Sequence, residues 1–245
     1  MNTQELIDRV KLRLDDEIAP RVFNDDDILV ALSDAQNEFA LRTLCIFDGE
    51  DSIAVTAGSP WVSFPVGTLW ATAAWLDTGE QVSLVTQHEL EFGYFDLGGV
   101  EANMRHSNWR IATGLPQFLV TDLGPTQVRL VPQPIASGTL FLERYRLPDA
   151  SLALSPAVEP EIPAQYHSDL VIGALAYLFD VPDQEVYDKE MALLKRATWE
   201  NRLVIAEQLL QTVVRIHARV IPPPIGASFI PPVSNTIGAG PNSNT

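Results

Sequence analysis

The 245-residue chain has few of the residues that cross-link a fold or anchor it in a membrane. Cys45 is its only cysteine, which excludes an internal disulfide and any cysteine-rich metal site. No apolar run reaches the roughly eighteen residues that a membrane helix needs, so no segment is predicted to span a bilayer. The charged N-terminal stretch lacks the apolar centre of a signal peptide. These absences predict a protein that is made in the cytoplasm and does not contact membranes.

Basic residues are also scarce. The chain has 16 Lys and Arg against 32 Asp and Glu, a net charge of −16. Such a surface repels phosphate, which argues against tight binding of nucleic acid but suits a channel wall that DNA only passes. Simple solubility explains the acidity equally well. Residues 220–245 carry no charge at all and contain six prolines, a composition that excludes a helix and predicts an extended tail.

Both ends of the chain show helical periodicity. Asn24 followed by three aspartates predicts a capped helix start and not a metal site, because consecutive carboxylates on a helix point in different directions. Asn2 and Glu5 form a similar capping signal. The last helix is predicted from about Asp183 to Arg219, and its apolar arc over residues 203–216 is wider than one contact within the chain requires. We therefore predict an oligomer interface there, formed by Leu203, Ala206, Leu210 and Val213.

The middle third of the chain changes to the periodicity of strands. Short apolar runs alternate with polar residues and are separated by turn signals, which is typical of an antiparallel β-domain. The clearest alternating pairs are Ile53 with Val55, Val128 with Leu130, and Leu140 with Leu142. Four tryptophans are predicted to form the core of this domain, namely Trp61, Trp70, Trp75 and Trp109.

Together these patterns predict an α+β fold. A four-helix bundle is built from residues 1–50 and 161–219, an antiparallel β-domain of residues 51–160 is inserted in it, and residues 220–245 form the Pro-rich tail. We expect the tail to bind a partner or a neighbouring subunit, since stiff prolines lose little entropy on docking. The binding residues are predicted to be Ile221, Pro222, Pro223, Pro224, Phe229 and Ile230. A disordered terminus is the alternative.

Motifs for catalysis or cofactor binding are missing. Residues 88–92, His-Glu-Leu-Glu-Phe, lack the second histidine of the zinc-protease motif. They are predicted to be an exposed polar turn, within a short helix over about Gln87–Phe95. His106, His167 and His217 have no ligand partner at suitable spacing and are predicted to be surface or capping residues. No nucleophile elbow, phosphate loop or dinucleotide fingerprint occurs. The sequence therefore predicts no catalytic residue, no cofactor and no metal.

Three stretches resemble the head-to-tail adaptor proteins of tailed bacteriophages, of the tail tubular protein A kind found in short-tailed phages. The first is FNDDDILVALSDAQNEFALRT, at residues 23–43. The second runs from Trp109 through TGLPQF to VRLVPQPIASGTLFLERYRLP, which ends at Pro148. The third is EIPAQYHSDLVIGALAYLF, at residues 161–179. None of the three stretches is a catalytic signature, and each alone is a weak match. The resemblance therefore rests on their order and spacing together.

This resemblance implies a structural virion protein and not an enzyme. Such proteins form a homo-oligomeric ring, typically dodecameric, that joins the portal protein to the tail nozzle or tail tube and leaves a passage for genome DNA. The expected location is the virion, at the neck or tail, after synthesis in the cytoplasm of the host bacterium. Two alternatives stay open. One is another structural virion component, such as a tail-tube or collar protein. The other is a divergent enzyme whose site is assembled from isolated residues such as His106 or His167.

Overall fold

The computed structural model describes residues 1–14, 23–92, 108–124, 126–149, 151–153, 158–180 and 189–220, with the side chains of the last helix described as far as Leu210. Within these residues the chain has an α+β fold, as predicted. Its helices are α1 (Thr3–Leu14), α2 (Asp25–Thr43), α3 (Gln87–Phe92), α4 (His167–Phe179) and α5 (Lys189–Val220). Its strands are β1 (Phe47–Val55), β2 (Trp61–Ser63), β3 (Thr68–Leu76), β4 (Gln81–Val85), β5 (Thr113–Gly114), β6 (Phe118–Val120), β7 (Gln127–Val131), β8 (Gln133–Pro134) and β9 (Gly138–Arg146).

The first two helices begin at the caps that the sequence predicts. The backbone N–H of Asp27 donates to the Asn24 side chain at 2.8 Å, and the Asn24 N–H donates to the Asp27 carboxylate at 3.2 Å. Asn2 and Glu5 exchange the same pair of bonds at the start of α1. Each cap satisfies backbone donors that have no partner within the helix. The predicted end of the first helix near Ala19 and the predicted start of the last helix near Asp183 lie outside the described residues.

Helices from both ends of the chain share one hydrophobic core. The central helix α4 packs against α1, α2 and α5. Gly173 permits the closest approach, because a methyl group there would lie 2.8 Å from the Cβ of Ala35 and 3.0 Å from a ring carbon of Trp199. The position of this glycine thus follows from helix packing. The core includes the fully buried side chains Leu6, Leu32, Phe39, Leu170 and Trp199.

A polar hub centred on Glu38 of α2 fixes α5 in this core. The Glu38 carboxylate accepts hydrogen bonds from the Trp199 indole at 2.6 Å and the Tyr177 hydroxyl at 2.9 Å, and it pairs with Arg196 at 2.7 Å. Burial alone would raise the pKa of Glu38, but these bonds and the charge of Arg196 outweigh it and lower that pKa below its ordinary value. Three helices therefore depend on one ionised carboxylate.

The strands form a curled seven-stranded sheet in the order β1-β9-β3-β4-β6-β7-β2, with its two edge strands in contact. The prediction of a wholly antiparallel domain is wrong in two places. β4 pairs with β6 in parallel, and β5 pairs with β8 in parallel. A parallel pair needs a long crossover, and residues 86–117, which include α3, provide it between β4 and β6.

The sheet encloses a second apolar core. The predicted alternation is confirmed, because Ile53 and Val55, Val128 and Leu130, and Leu140 and Leu142 all lie inside. The tryptophan prediction is correct only in part. Trp109 is buried, but Trp61 and Trp70 are exposed and Trp75 is half-buried. Trp75 lies on the outer face of the sheet because it alternates with the inward Ala74 and Leu76. Trp70 lies on the same outer face because the register of β3 shifts between Ala71 and Ala73, which turns Ala71 inward.

A network of arginines joins the sheet to the helices. Arg146 of β9 pairs with Asp48 at 2.5 Å and with Glu161, which precedes α4, at 2.6 Å. Burial opposes the charge of Arg146, but the two carboxylates outweigh this effect and raise its pKa. The neighbouring Arg144 is buried and pairs with Asp51 at 2.6 Å. This network fixes the end of β9 against the segment that leads into α4.

We expect Gly173→Ala to destabilise the chain. Alanine improves helix propensity by about 1 kcal/mol over glycine, but the methyl group would overlap Ala35 and Trp199, and overpacking costs about 1–3 kcal/mol. Because Trp199 is held by Glu38, the ring has little room to move. Urea unfolding should therefore show a net loss of about 1 kcal/mol. Ser168→Ala, at an exposed position of the same helix, is the control. A more stable Gly173→Ala variant would contradict this account of the packing.

We expect Glu38→Gln to lower the free energy of unfolding by about 2 kcal/mol at pH 7, because the charged acceptor of three donors is lost. The pKa of Glu38 is lower in the folded chain than in the unfolded one. Its contribution is therefore complete above about pH 5 and is lost as the pH falls through the folded-state value.

Denaturant unfolding of both chains between pH 7 and pH 3 checks this prediction. The difference between wild type and Glu38→Gln should shrink as the pH falls. Glu200→Gln removes a more exposed partner of Arg42 and should cost less than about 1 kcal/mol at any pH. A constant gap for Glu38→Gln across the whole range would show that the ionised form is not what holds α5.

Candidate assembly interface

The helix α5 has two apolar faces. One side packs into the core of the chain through the buried residues Ala192, Trp199, Leu203 and Ala206. We call the opposite side the outer face of α5. Its large apolar side chains are between 41% and 62% exposed. These residues are Leu193, Leu194, Val204, Ile205 and Leu209. A helix that is apolar on both sides needs a second contact, because a globular surface normally shows polar side chains there.

Charged side chains flank the outer face without entering it. Glu200 and Glu207 point toward α2, where they lie 2.5 Å and 3.7 Å from Arg42. Arg196 belongs to the Glu38 hub, and Arg202 lies 3.8 Å from Asp169 of α4. These pairs hold four of the five charged side chains of residues 193–209 on the flanks of α5; the fifth is Lys195. The outer face is therefore an uncharged strip on a strongly acidic protein.

The predicted interface residues lie on the core side of α5. Leu203 and Ala206 are buried in the core of their own chain, and Leu210 is half-buried against the same core. The side chain of Val213 and the tail residues Ile221, Pro222, Pro223, Pro224, Phe229 and Ile230 lie outside the described residues. A contact of any of them with another subunit stays a prediction. Sequence analysis missed the outward residues Ile205 and Leu209, although an apolar arc that covers both sides of the helix already contains them.

A second apolar surface lies on the outer face of the sheet, opposite its core. Five aromatic residues on β1, β9 and β3 form it, and we call them the aromatic stripe: Phe47, Trp70, Trp75, Phe141 and Tyr145. The rings of Phe47 and Tyr145 are 5.2 Å apart, and the stacked rings of Trp75 and Phe141 are 6.0 Å apart. Burial, and then the charge of Glu143 on the same strand, raise the pKa of Tyr145, so its hydroxyl stays neutral at physiological pH.

A third feature combines arginine with tryptophan. The Arg129 guanidinium lies 5.2 Å from the ring centre of Trp61 and 5.5 Å from that of Trp109, and Arg110 lies 5.0 Å from the ring centre of Trp109. We call these four residues the arginine–tryptophan cluster. Burial, and then the charge of Arg110, lower the pKa of Arg129. The cations cover the faces of these rings, which distinguishes the cluster from the aromatic stripe.

Residues with catalytic potential have structural roles instead. His88 is exposed on α3, while Glu89 accepts from the backbone and side chain of Thr86 and so caps that helix. The region is the short helix α3, within the span 87–95 where the sequence predicts a helix, and His88 is exposed on it as expected of a polar segment. Glu91 pairs with Arg110 at 3.1 Å. Across the described part of the chain, no group of three His, Cys, Asp or Glu residues could hold a metal ion.

The prediction that His167 is a surface or capping residue is wrong. His167 is only 2% exposed, because α1 packs over the start of α4. Its Nε2 lies 2.9 Å from the Ile162 carbonyl oxygen, and its Nδ1 lies 3.1 Å from the Met1 nitrogen. Both ring nitrogens thus have structural partners. His106 and the side chain of His217 lie outside the described residues.

Comparisons with known proteins agree with the resemblance that the sequence shows. Within the described ranges, no helix is long and apolar enough to cross a membrane. No curated protein matches the chain at a significant level. A family model described as SU10 adaptor protein matches residues 1–222, which include all the helices and strands described above. The chain therefore belongs to the SU10 adaptor protein family, a family of structural phage proteins, and the prediction of a phage adaptor is confirmed.

Proposed function

We propose that this adaptor acts as a head-to-tail connector: copies of the chain form a ring that joins the portal protein to the tail nozzle or tail tube. The ring is expected to be dodecameric and to leave a passage for genome DNA. The protein works in the virion, at the neck or tail, after synthesis in the cytoplasm of the host. Membership of the adaptor family supports the structural role, and the surface of the chain supports the assembly.

The outer face of α5 is the observation that carries the ring proposal. It is apolar and uncharged, and the other side of the same helix is fixed in the core by Glu38 and Trp199. A rigid helix loses little conformational entropy when it is covered by another surface. Since the remainder of the chain is strongly acidic, an uncharged strip is the region where two copies meet with the least repulsion.

The helices supply the body of this ring. We propose that α1, α2, α4 and α5 form the ring-building bundle, while the sheet projects from it toward the tail or the outside. The helices share one core and the sheet has its own, so the sheet can project without exposing the helical core. The arginine network around Arg146 then fixes the angle between the two parts.

The charge of the chain supports passage of DNA without binding. A ring of chains with a net charge of −16 each repels the phosphate backbone. Unpaired arginines would weaken this repulsion of phosphate. Arg144, Arg146 and Arg110 each pair with a carboxylate instead. Lys11 and Arg196 likewise pair with carboxylates, and Arg129 lies over tryptophan rings.

We expect Ile205→Glu and Leu209→Glu each to weaken self-association by at least about a hundredfold. Each variant places a carboxylate in the proposed contact, where an unpaired charge costs several kcal/mol. Both side chains are more than half exposed in the isolated chain, so the fold should tolerate the change. Mass photometry and light scattering of purified protein over a concentration series measure the assembly.

Leu12→Glu is the matched control, because Leu12 is a leucine of similar exposure at the end of α1. It should assemble as wild type does. The thermal melting of all three variants should stay close to that of wild type. Wild-type assembly in both α5 variants would contradict an interface on the outer face, and a wild-type chain that remains monomeric at every concentration would contradict the ring.

A further inference from the structure

The aromatic stripe has the geometry of a surface for an extended peptide. Tyr145 is paired in register with Phe47 on one side and Trp70 on the other, which makes a row of three rings across β1, β9 and β3. Phe141 and Trp75 are also paired in register and make a second row. Four residues along β9 separate the rows, a distance of about 13 Å. The rings thus form two apolar ridges on the outer face of the curled sheet.

The floor between these ridges is low and carries one carboxylate opposite an alanine. Ala73 and Glu143 face each other there, between the two rows. Where the structure describes the chain, cations lie over the rings of Trp61, Trp109 and Tyr177, and none lies over a ring of the stripe. Phe47 and Trp70 are about half exposed. The stripe therefore offers open ring faces, whereas the arginine–tryptophan cluster offers rings already covered by guanidinium groups.

The tail of the chain has the chemistry that such ring faces bind. Residues 220–245 are uncharged, and the segment Phe229-Ile230-Pro231-Pro232 combines two apolar anchors with two prolines. Prolines favour the polyproline II conformation, whose exposed rings pack on aromatic side chains. Four residues of that helix extend about 12 Å, close to the separation of the two rows. An uncharged segment can pair with the stripe, but it has no carboxylate to offer Arg129.

The course of α5 brings the tail toward the sheet. Glu38 of α2 pairs with Arg196, and Arg42, one turn later, lies near Glu200 and Glu207, so α5 runs in the same direction as α2. Beyond Glu207 the helix continues to Val220, a distance of about 20 Å. Because α2 ends at Thr43 and β1 begins at Phe47, this extension leads to the side on which the sheet begins.

We propose that residues 221–233 of one copy dock on the aromatic stripe of a neighbouring copy. The proposal rests on the ring proposed above, since the outer face of α5 leads directly into the tail and is where the neighbour lies. Thirteen extended residues span up to about 45 Å, so residues 221–233 are long enough to reach a neighbouring copy from the end of α5. The stripe then links each chain to the next through an extended segment, in addition to the contact between helices.

Cross-linking of the full chain tests this proposal. Phe229 is replaced by the photoreactive residue benzoylphenylalanine, and chains of natural isotope content are mixed with ¹⁵N-labelled chains before illumination. Mass spectrometry then locates the cross-links and shows which of them join two different chains. We expect the main products to join position 229 to the peptides that contain Phe47, Trp70 or Tyr145, with labelled and unlabelled chains in one product.

Variants of the stripe give the matched comparison. Trp70→Ala and Phe47→Ala remove exposed rings on two different strands and should each lower the yield of the interchain product at least about fivefold. Trp61→Ala removes an exposed tryptophan from the arginine–tryptophan cluster and should leave the yield unchanged. Circular dichroism of all three variants verifies the fold. Two stripe variants on separate strands keep the test valid if one of them unfolds.

Four results would overturn the proposal. They are products confined to single chains, products at other surfaces, no product at all, and a yield that does not respond to Trp70→Ala or Phe47→Ala. Native mass measurement on the same sample separates this failure from failure of the ring. A ring that forms without cross-links at the stripe overturns only the docking of the tail. A chain that stays monomeric overturns the ring, and the docking between copies with it.

Discussion

The orientation of α5 against the other helices depends on one partly buried carboxylate. Glu38 receives the indole N–H of Trp199, the hydroxyl of Tyr177 and the guanidinium of Arg196, and so connects α2, α4 and α5. The absence of a side chain at Gly173 allows the Trp199 ring, which donates to Glu38, to lie close against α4. A helix that is apolar on both sides can bury apolar area at several rotations about its own axis. The directed hydrogen bonds to Glu38 form at only one of these rotations.

That single rotation decides which surface the chain presents to its surroundings. With Leu203 and Ala206 turned inward, Ile205 must face out, because residues one and two positions apart lie on different sides of a helix. Leu209 faces out for the same reason, since the next residue, Leu210, packs against the core. The charged residues of α5 are placed by the same rotation next to Arg42, Glu38 and Asp169. The outer face therefore remains free of charge as a consequence of how the core is built.

Local signals in the sequence predicted the parts of the fold that local chemistry determines. The Asn24 cap and the alternation of Leu140 with Leu142 depend only on nearby residues, and both are confirmed. The parallel pairing of β4 with β6 depends on a crossover of about thirty residues that no short pattern encodes. The burial of His167 depends on α1, which is distant in sequence. The inward side of α5 depends on Glu38 and Gly173, so an apolar arc alone could not separate Leu203 from Leu209.

The distribution of charge connects these features to assembly. The chain has twice as many acidic as basic residues, yet the outer face of α5 and the tail from residue 220 have none of either, and the aromatic stripe has a carboxylate only between its rows. Adjacent acidic copies in a ring repel one another, and the repulsion is strongest where low-dielectric surfaces come together. In the proposed ring, uncharged contacts avoid this repulsion, and the acidic rest of the surface disfavours the binding of DNA and other polyanions. For the ring proposed above, neutral contact surfaces and an acidic exterior serve one requirement: copies that bind each other must not bind the DNA that we propose passes through the ring.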